Sequence, residues 1–296
     1  MSASEGEGLR YVALGDSQTE GLGDGDDTLG LRGWADRLAE HLARHHPGTR
    51  YANLAVRGRL ARHVRTEQLA PALALRPDLA TVVAGVNDLL RPRFDADEVG
   101  GHLETVFAAL TAQGARVATV TFPDVTRITP LAKPLGPRVA ALNDRIRDAA
   151  RRHGVVVAET GRHAVVTDLR LWSPDRLHAS PLGHARIAAA VAHALALPGS
   201  DDTWTLPLPP VATASPAPGR AAAELRWAAA FLGPWLGRRL RGRSSGDGRT
   251  AKRPVLLPVL TPGPQASARR GGEGQPHGET DLHERRDEGR PGGRPG

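Results

Sequence analysis

Short apolar runs alternate with longer amphipathic stretches along the first two thirds of the chain. The apolar runs have the length and composition of buried strands, and they lie at residues 10–14, 50–56, 78–84, 116–122 and 155–159. Between them, apolar residues recur at helical spacing, as Trp34, Leu38 and Leu42 do. This spacing predicts amphipathic helices, which cover residues 34–45, 60–75, 99–110, 135–152 and 181–197.

The alternation of strands and helices indicates the fold class. Strands that are apolar on both faces are typical of a parallel sheet covered by helices on each side. Connections between such strands are right-handed crossovers, which predicts a three-layer α/β/α sandwich. Ligands bind such sheets beyond the C-terminal ends of the strands, so functional residues are expected there.

The composition changes after the last predicted helix, and the change divides the chain. We expect one α/β domain over residues 1–200 and a stiff Pro/Ala-rich linker over residues 201–220. Residues 221–240 regain a helical pattern and predict an aromatic amphipathic helix that includes Trp227. Residues 241–296 are rich in Gly, Pro, Arg and Glu and hold few large apolar residues, so they are predicted to be disordered.

The charge of the chain is concentrated at its C-terminal end. The formal net charge is +7, and residues 238–296 hold 13 Lys and Arg against 7 Asp and Glu, so the rest of the chain is close to neutral. The absence of cysteine excludes disulfides, thiolate metal sites and cysteine nucleophiles. Residues 1–9 carry no basic signal-peptide start, and no apolar stretch has the length of a membrane span, so a soluble cytoplasmic protein is expected.

A serine lies directly after the first predicted strand, in Gly15-Asp16-Ser17. If a helical turn follows, its unpaired backbone N–H groups point toward Ser17 and favour negative charge there. This placement suits a nucleophile. The alternative is that Asp16 or Ser17 only caps a helix, which is the usual role of such residues.

A serine hydroxyl needs a base before it can attack a carbonyl carbon. The candidate base is His178, which precedes the last predicted helix and follows Asp175 by three residues. On one turn, Asp175 could fix the tautomer of His178 and stabilise its charged form. The alternative is an ordinary surface turn, because a chain with 12 histidines can easily contain one Asp-x-x-His pair by chance.

Acyl transfer also needs hydrogen-bond donors for the oxyanion of its tetrahedral intermediate. Asn87 follows the predicted strand 78–84, and Gly58 follows the predicted strand 50–56. The Asn87 amide and the Gly58 N–H can therefore reach the sheet edge where Ser17 lies. For either residue alone, ordinary turn chemistry is the better explanation, but chance placement does not readily explain the whole set.

Together these segments resemble the four motif blocks of the SGNH (GDSL-type) hydrolase superfamily, over roughly residues 9–197, and the chain is similar to GDSL-like lipases of actinobacteria. The resemblance implies a flavodoxin-like sandwich of about five parallel strands and an ester-cleaving activity without metal or organic cofactor. The catalytic triad that it implies is Ser17, Asp175 and His178. The oxyanion donors that it implies are the Ser17 N–H, the Gly58 N–H and the Asn87 side chain.

Two positions depart from the family pattern. Ala55 stands where many members have glycine, and Ala179 stands where proline often follows the histidine. Neither is a reacting group, so both bear on loop shape and substrate fit. No long apolar lid segment is evident in the sequence, which favours small or short-acyl esters as substrates.

Two further signals have plainer explanations. The glycine-rich stretch 21–25 does not suit a phosphate, because Glu20 and Asp24 would repel it and no Lys-Ser/Thr pair follows. A flexible loop is expected there. His184 fits no standard metal-ligand spacing, and we expect it on the exposed start of the last helix.

The sequence does not identify a binding partner for the basic segment 238–253. It holds seven basic residues and one acidic residue. Such a segment could bind nucleic acid or an anionic membrane. A solubilising tail explains the composition as well, and we do not expect nucleic acid to be the partner. The aromatic helix could dock on the catalytic domain, or residues 221–253 could contact a membrane surface. The competing hypothesis for the whole chain is a non-catalytic sandwich domain that binds a ligand and is anchored by this tail. The oligomeric state is not indicated.

Overall fold

The computed structural model of the protein describes residues 8–210, 225–233 and 245–260. The strands in these residues are β1 (Arg10–Gly15), β2 (Gly25–Asp26), β3 (Gly30–Leu31), β4 (Arg50–Asn53), β5 (Leu79–Val83), β6 (Arg116–Val120), β7 (Val156–Ala158) and β8 (Arg253–Pro258). The helices are α1 (Ser17–Glu20), α2 (Trp34–His45), α3 (Ala61–His63), α4 (Leu69–Ala74), α5 (Val86–Leu89), α6 (Ala96–Ala112), α7 (Gly136–His153) and α8 (Pro181–Ala194).

Six strands form one sheet in the order β7-β6-β5-β1-β4-β8. Strands β1, β4, β5, β6 and β7 run parallel, and β8 pairs antiparallel with β4. Because β4 and β5 lie on opposite sides of β1, the strand order reverses at β1. The crevice beyond the C-terminal end of β1 is therefore the place where a fold of this kind binds its ligand.

Helices cover the sheet in two layers. Helix α2 packs against α8, and α6 packs against α7. The apolar side chains between the layers form one core cluster, whose largest fully buried members include Tyr11, Trp34, Phe107, Leu142 and Ile146. The predicted α/β/α sandwich with a parallel core is confirmed.

The observed elements differ from the predicted ones mainly at their ends. Helix α6 begins three residues before the predicted start, because the Asp95 side chain accepts hydrogen bonds from the N–H groups of Asp97 and Glu98 and caps it there. The predicted helix 60–75 is divided into α3, a π-helical turn at Val64–Gln68 and α4.

The sequence prediction of disorder over residues 241–296 is wrong for residues 245–260. There β8 adds to the open edge of β4, and the Arg253 guanidinium Nε donates to the Tyr51 carbonyl oxygen at 2.7 Å. An edge strand tolerates the prolines at its second and last positions, because only one side of it needs backbone donors. The rest of the predicted tail lies outside the described residues.

The ordered domain also extends past its predicted end at residue 200. Trp204, inside the predicted linker, is buried; its indole N–H donates to His193 Nδ1 at 3.2 Å, and its ring meets His163 edge-on at 4.6 Å. Burial of a large aromatic ring holds this part of the linker on the domain.

Residues 225–233 are helical and include a π-helical turn at Ala228–Leu232, within the predicted helix 221–240. The remainder of that helix is outside the described residues. Over the parts of the chain that the structure describes, no helix has both the length and the apolar character needed to cross a bilayer.

Candidate active site

Ser17 begins α1 directly after β1. The backbone turns at Gly15, where φ is +155° and a Cβ atom would lie 2.3 Å from the Val83 carbonyl oxygen, so only glycine fits. Asp16 caps the helix by accepting a hydrogen bond from the Gln18 N–H at 3.2 Å. Since Asp16 is the cap, the Ser17 hydroxyl is left for another partner.

That partner is His178. Ser17 Oγ lies 2.9 Å from His178 Nε2, although the two residues are 161 positions apart in the chain. On the other side of the ring, His178 Nδ1 lies 2.6 Å from Asp175 Oδ2. The structure therefore brings the three residues of the predicted triad into one hydrogen-bonded chain.

Asp175 is held by several donors. Its Oδ1 accepts hydrogen bonds from the Ser173 hydroxyl, the Leu177 N–H and the His178 N–H at 2.6, 2.9 and 3.0 Å. Burial raises the pKa of the Asp175 carboxyl, but the hydrogen bond and charge of His178 outweigh burial and hold that pKa well below its usual range. An ionised Asp175 fixes the proton on His178 Nδ1 and leaves Nε2 to accept from the Ser17 hydroxyl.

The two other predicted residues lie in the same cleft. Gly58 follows β4 in a backbone conformation with φ of +78°. Asn87 lies in α5, directly after β5, and its Nδ2 donates to the Arg59 carbonyl oxygen at 3.1 Å and to Asp16 Oδ2 at 3.3 Å. All of the sequence-predicted site residues thus meet at the reversal in strand order beside β1.

The cleft has a volume of about 490 Å³. Its polar groups are concentrated around Ser17, Asn87 and the loop 173–178. Most of the remaining lining is apolar, and it includes Val86, Leu89, Leu90, Phe122, Ile128, Leu131, Leu135, Trp172, Trp227 and Phe231. A cleft with an apolar wall and a few convergent polar groups has the character of a small-molecule site.

Residues 13–186 match the model of the GDSL-like Lipase/Acylhydrolase family. The chain belongs to this family. It is therefore a hydrolase. No curated protein matches it at a significant level of similarity.

Solved structures of the same fold include relatives of low sequence identity. An alpha/beta hydrolase enzyme from the metagenome of Lake Arreo, Spain, is 23% identical, with a TM-score of 0.54 over 66% of this chain and 98% of that one. The lipase/acylhydrolase from Enterococcus faecalis is 19% identical, with a TM-score of 0.52 over 62% and 94%. A catalytic mutant of an acetylxylan esterase from Geobacillus stearothermophilus is 16% identical, with a TM-score of 0.53 over 67% and 98%. At these identities the likeness shows the fold.

In this GDSL-like hydrolase, Gln18 joins the turn that carries Ser17 to the loop that carries His178, a contact that no sequence pattern predicts. Its Nε2 donates to the Leu177 carbonyl oxygen at 2.9 Å, and its Oε1 accepts from the Ala179 N–H at 3.2 Å. A proline at position 179 would have no N–H to donate. The alanine that departs from the family pattern therefore adds a contact that positions His178.

His184 contradicts its prediction. The side chain is fully buried, with Nδ1 accepting from the Trp34 N–H at 3.2 Å and Nε2 donating to the Leu22 carbonyl oxygen at 2.9 Å. Burial lowers the pKa of His184 to about 4, so the ring is neutral at pH 7. Its role is to join α8 to α2 and to the loop after α1.

Two carboxyl groups beside the site are also buried. Burial raises the pKa of Asp16 to about 7, despite hydrogen bonds from the Gln18 N–H and Asn87 that favour the charged form. Burial raises the pKa of Asp88 to about 6, although this group accepts from the Ala61 N–H at 3.0 Å. Both groups position neighbouring backbone and lie outside the chain of bonds from Ser17 to Asp175.

Proposed function

We propose that this hydrolase cleaves carboxylic esters through an acyl-enzyme intermediate on Ser17. The observation that carries the proposal is the hydrogen-bonded chain from Ser17 Oγ through the His178 ring to Asp175, with heavy-atom separations of 2.9 and 2.6 Å. A nucleophile, a base and an orienting carboxylate at these distances form the arrangement that activates a serine. Membership of a family described as lipases and acylhydrolases supports the same reaction class.

In the acylation half-reaction, Ser17 Oγ attacks the ester carbonyl carbon while His178 Nε2 takes the hydroxyl proton. The ionised Asp175 stabilises the imidazolium that forms. The carbonyl electron pair moves to oxygen and gives a tetrahedral oxyanion. When this intermediate collapses, the bond from carbon to the alcohol oxygen breaks, and His178 returns its proton to the departing alcohol.

Deacylation repeats these steps with water. His178 Nε2 takes a proton from a water molecule, whose oxygen attacks the acyl carbon bound to Ser17. Collapse of the second tetrahedral intermediate breaks the bond to Ser17 Oγ, which recovers its proton from His178. The carboxylic acid leaves, and the free enzyme is restored.

The oxyanion donors in this proposal are the Ser17 N–H, the Gly58 N–H and the Asn87 amide. A donor of this kind contributes about 2.7–4 kcal/mol to stabilisation of the transition state. Asn87 Nδ2 donates to the Arg59 carbonyl oxygen and to Asp16 Oδ2, and the bond to Asp16 is the longer at 3.3 Å. An oxyanion would take the place of Asp16, because hydrogen bonds in a catalytic site tighten on the transition state.

Contact of residues 221–253 with a membrane surface stays a prediction. Two of the cations on which it relied have partners in this protein. Arg249 Nη2 lies 2.6 Å from Asp27 Oδ2, and Lys252 Nζ lies 2.6 Å from Asp36 Oδ2.

Labelling with an alkyl fluorophosphonate tests the proposed nucleophile, because such probes form a covalent bond with an activated serine. We expect one label per chain, located on the peptide that contains Ser17 by mass spectrometry and absent from Ser17→Ala. The matched control is Ser173→Ala, which removes another serine of the cleft and should still be labelled. A label on a different serine, or no label at all, would refute the assignment.

A further inference from the structure

Helix residues 225–233 contribute a wall to the cleft. Trp227 and Phe231, four positions apart and so on one side of the helix, both line the cleft, although they lie well outside the family-matched residues 13–186. The Arg176 guanidinium carbon lies 5.0 Å from the centre of the Trp227 ring. A cation at this distance attracts an aromatic face and holds the helix against the loop that carries His178.

Other parts of the cleft lining are also apolar. They come from α5 and from residues 125–135, with side chains that include Val86, Leu89, Ile128, Leu131 and Leu135. Leu131 and Phe231 are 52% and 39% exposed, so the mouth of the cleft is apolar as well.

Few charges face this space. Among the described residues that line the cleft, Asp and Glu are represented by Asp175 alone and Arg and Lys by Arg176 alone, both in the loop 173–178. A sugar or a charged group bound along the apolar walls would lose its hydrogen bonds to water without replacing them. An aliphatic chain loses none and is favoured there by the removal of apolar surface from water.

The chain on either side of this helix is attached to the domain. Before it, Trp204 is buried. After it, β8 pairs with β4, and a Cβ atom on Gly246 would lie 2.0 Å from the Arg57 carbonyl oxygen, so this segment lies directly against the backbone beside Gly58. Described segments both before and after residues 225–233 are therefore packed on the domain.

We propose that the substrate carries an extended aliphatic chain, and that this chain binds between α5 and helix residues 225–233, with Trp227 and Phe231 as specificity-determining residues. This inference rests on the proposed ester hydrolysis by Ser17. It replaces the preference for small or short-acyl esters, which depended on the absence of a recognisable lid segment. The aliphatic chain can belong to the acyl group or to the alcohol, and the experiment separates the two.

The test compares kcat/KM for two ester series on the full chain. In the first series the acyl group of p-nitrophenyl esters is lengthened from acetate to decanoate, and in the second the alcohol of alkyl acetates is lengthened over the same range. In the series whose variable chain enters the cleft, each added methylene should raise kcat/KM about fourfold until the cleft is filled. The series that responds identifies the source of the chain.

Trp227→Ala should lower kcat/KM for the longest esters of that series about 10–100-fold, the loss expected when a buried aromatic wall is removed. Its loss on p-nitrophenyl acetate should be at least about tenfold smaller than its loss on the longest ester, because the acetyl group is too short to reach the Trp227 ring. Phe231→Ala should give the same pattern with a smaller loss, which guards against a folding defect in one variant. The matched control is Leu225→Ala, on the same helix but outside the cleft lining and 71% exposed, which should behave as wild type.

Two results would overturn the inference while leaving the proposed function intact. One is a wild-type enzyme whose kcat/KM falls with chain length in both series. The other is a Trp227→Ala variant that loses equal activity on acetate and on the longest ester. Absence of both ester turnover and fluorophosphonate labelling of Ser17 would instead refute the proposed function, and this inference with it.

Discussion

Glu20 and Arg57 form a buried ion pair that joins α1, the helix that begins at Ser17, to the turn that carries Gly58. The Glu20 carboxylate accepts from the Arg57 backbone N–H at 2.6 Å and from Arg57 Nη2 at 2.7 Å. Their side chains are 7% and 9% exposed. Because Ser17 begins the same short helix as Glu20, this pair sets the position of the Gly58 N–H relative to the Ser17 hydroxyl.

Removal of this carboxylate charge should weaken both the fold and the site. In Glu20→Gln, the Arg57 guanidinium stays buried, and its remaining charged partner among the described residues is Asp27. We therefore expect a loss of about 3 kcal/mol in the free energy of unfolding. Displacement of the Gly58 N–H should also lower kcat for p-nitrophenyl acetate. Urea unfolding and steady-state kinetics measure the two effects.

Asp27→Asn is the matched control for that variant. Asp27 Oδ1 bonds the same guanidinium at 2.8 Å, but its side chain is 50% exposed. Exposed ion pairs contribute little to stability. We expect nearly unchanged unfolding and kcat, and equal losses in the two variants would contradict the positioning role of Glu20.

Asp175→Asn should keep the fold and lose the chemistry. An amide in place of the ionised carboxylate can donate to His178 Nδ1 and so favours the tautomer that cannot take the Ser17 proton, at a cost of about 10⁴ in kcat. Ser173→Ala, which removes one donor to Asp175 at 2.6 Å, should cost no more than about tenfold. Similar losses in the two variants would indicate that Asp175 acts only through the shape of its loop.

Asn87→Ala should lower kcat about 10²–10³-fold with little change in KM, because an oxyanion donor acts in the transition state. Steady-state kinetics on p-nitrophenyl acetate measures both constants. Asp16→Asn is the control variant, because it changes the acceptor of the 3.3 Å hydrogen bond and leaves the Asn87 amide in place. A rise in KM with unchanged kcat in Asn87→Ala would assign this residue to substrate binding.

The buried His184 should make the protein less stable in acid. Burial lowers its pKa to about 4 from an ordinary 6.5, so between these values the unfolded chain binds a proton that the native ring does not. The free energy of unfolding should therefore fall as the pH is lowered from 6.5 to 4, by about 3 kcal/mol from this group.

His184→Gln tests this dependence, because glutamine can donate and accept but does not titrate in this range. Denaturant unfolding at pH 7.5 gives the cost of the substitution itself. Between pH 7.5 and pH 4, the difference in the free energy of unfolding between wild type and the variant should shrink by about 3 kcal/mol. A constant difference across this range would show that the native ring is protonated as easily as the unfolded one.

The parallel core and its site could be predicted from the sequence because their signals are local. The strands at residues 10–14 and 78–84 are apolar throughout, and the residues that follow them, Ser17 and Asn87, must meet at one edge once the strands are parallel. The capping alternative for Ser17 is excluded only by the structure, where Asp16 caps α1 and the hydroxyl faces His178.

Other features depend on contacts distant in sequence and left no local signal. Strand β8 lies in a Pro- and Arg-rich segment and is a strand only because β4 offers it an open edge. His184 has a polar side chain near a helix start, yet it is buried because two backbone groups, at Trp34 and Leu22, complete its hydrogen bonds. The sequence pattern predicts the aromatic helix, but it does not predict that Trp227 lines the cleft.

Hydrolysis of p-nitrophenyl acetate by wild type and Ser17→Ala tests the central claim most directly. If Ser17 is the nucleophile, wild type turns over and the variant loses on the order of 10⁶ in kcat, while its unfolding curve stays within about 1 kcal/mol of wild type. A Ser17→Ala variant that keeps most of the wild-type rate would contradict the account, because the hydrogen-bonded chain through His178 to Asp175 would then have no nucleophile to activate.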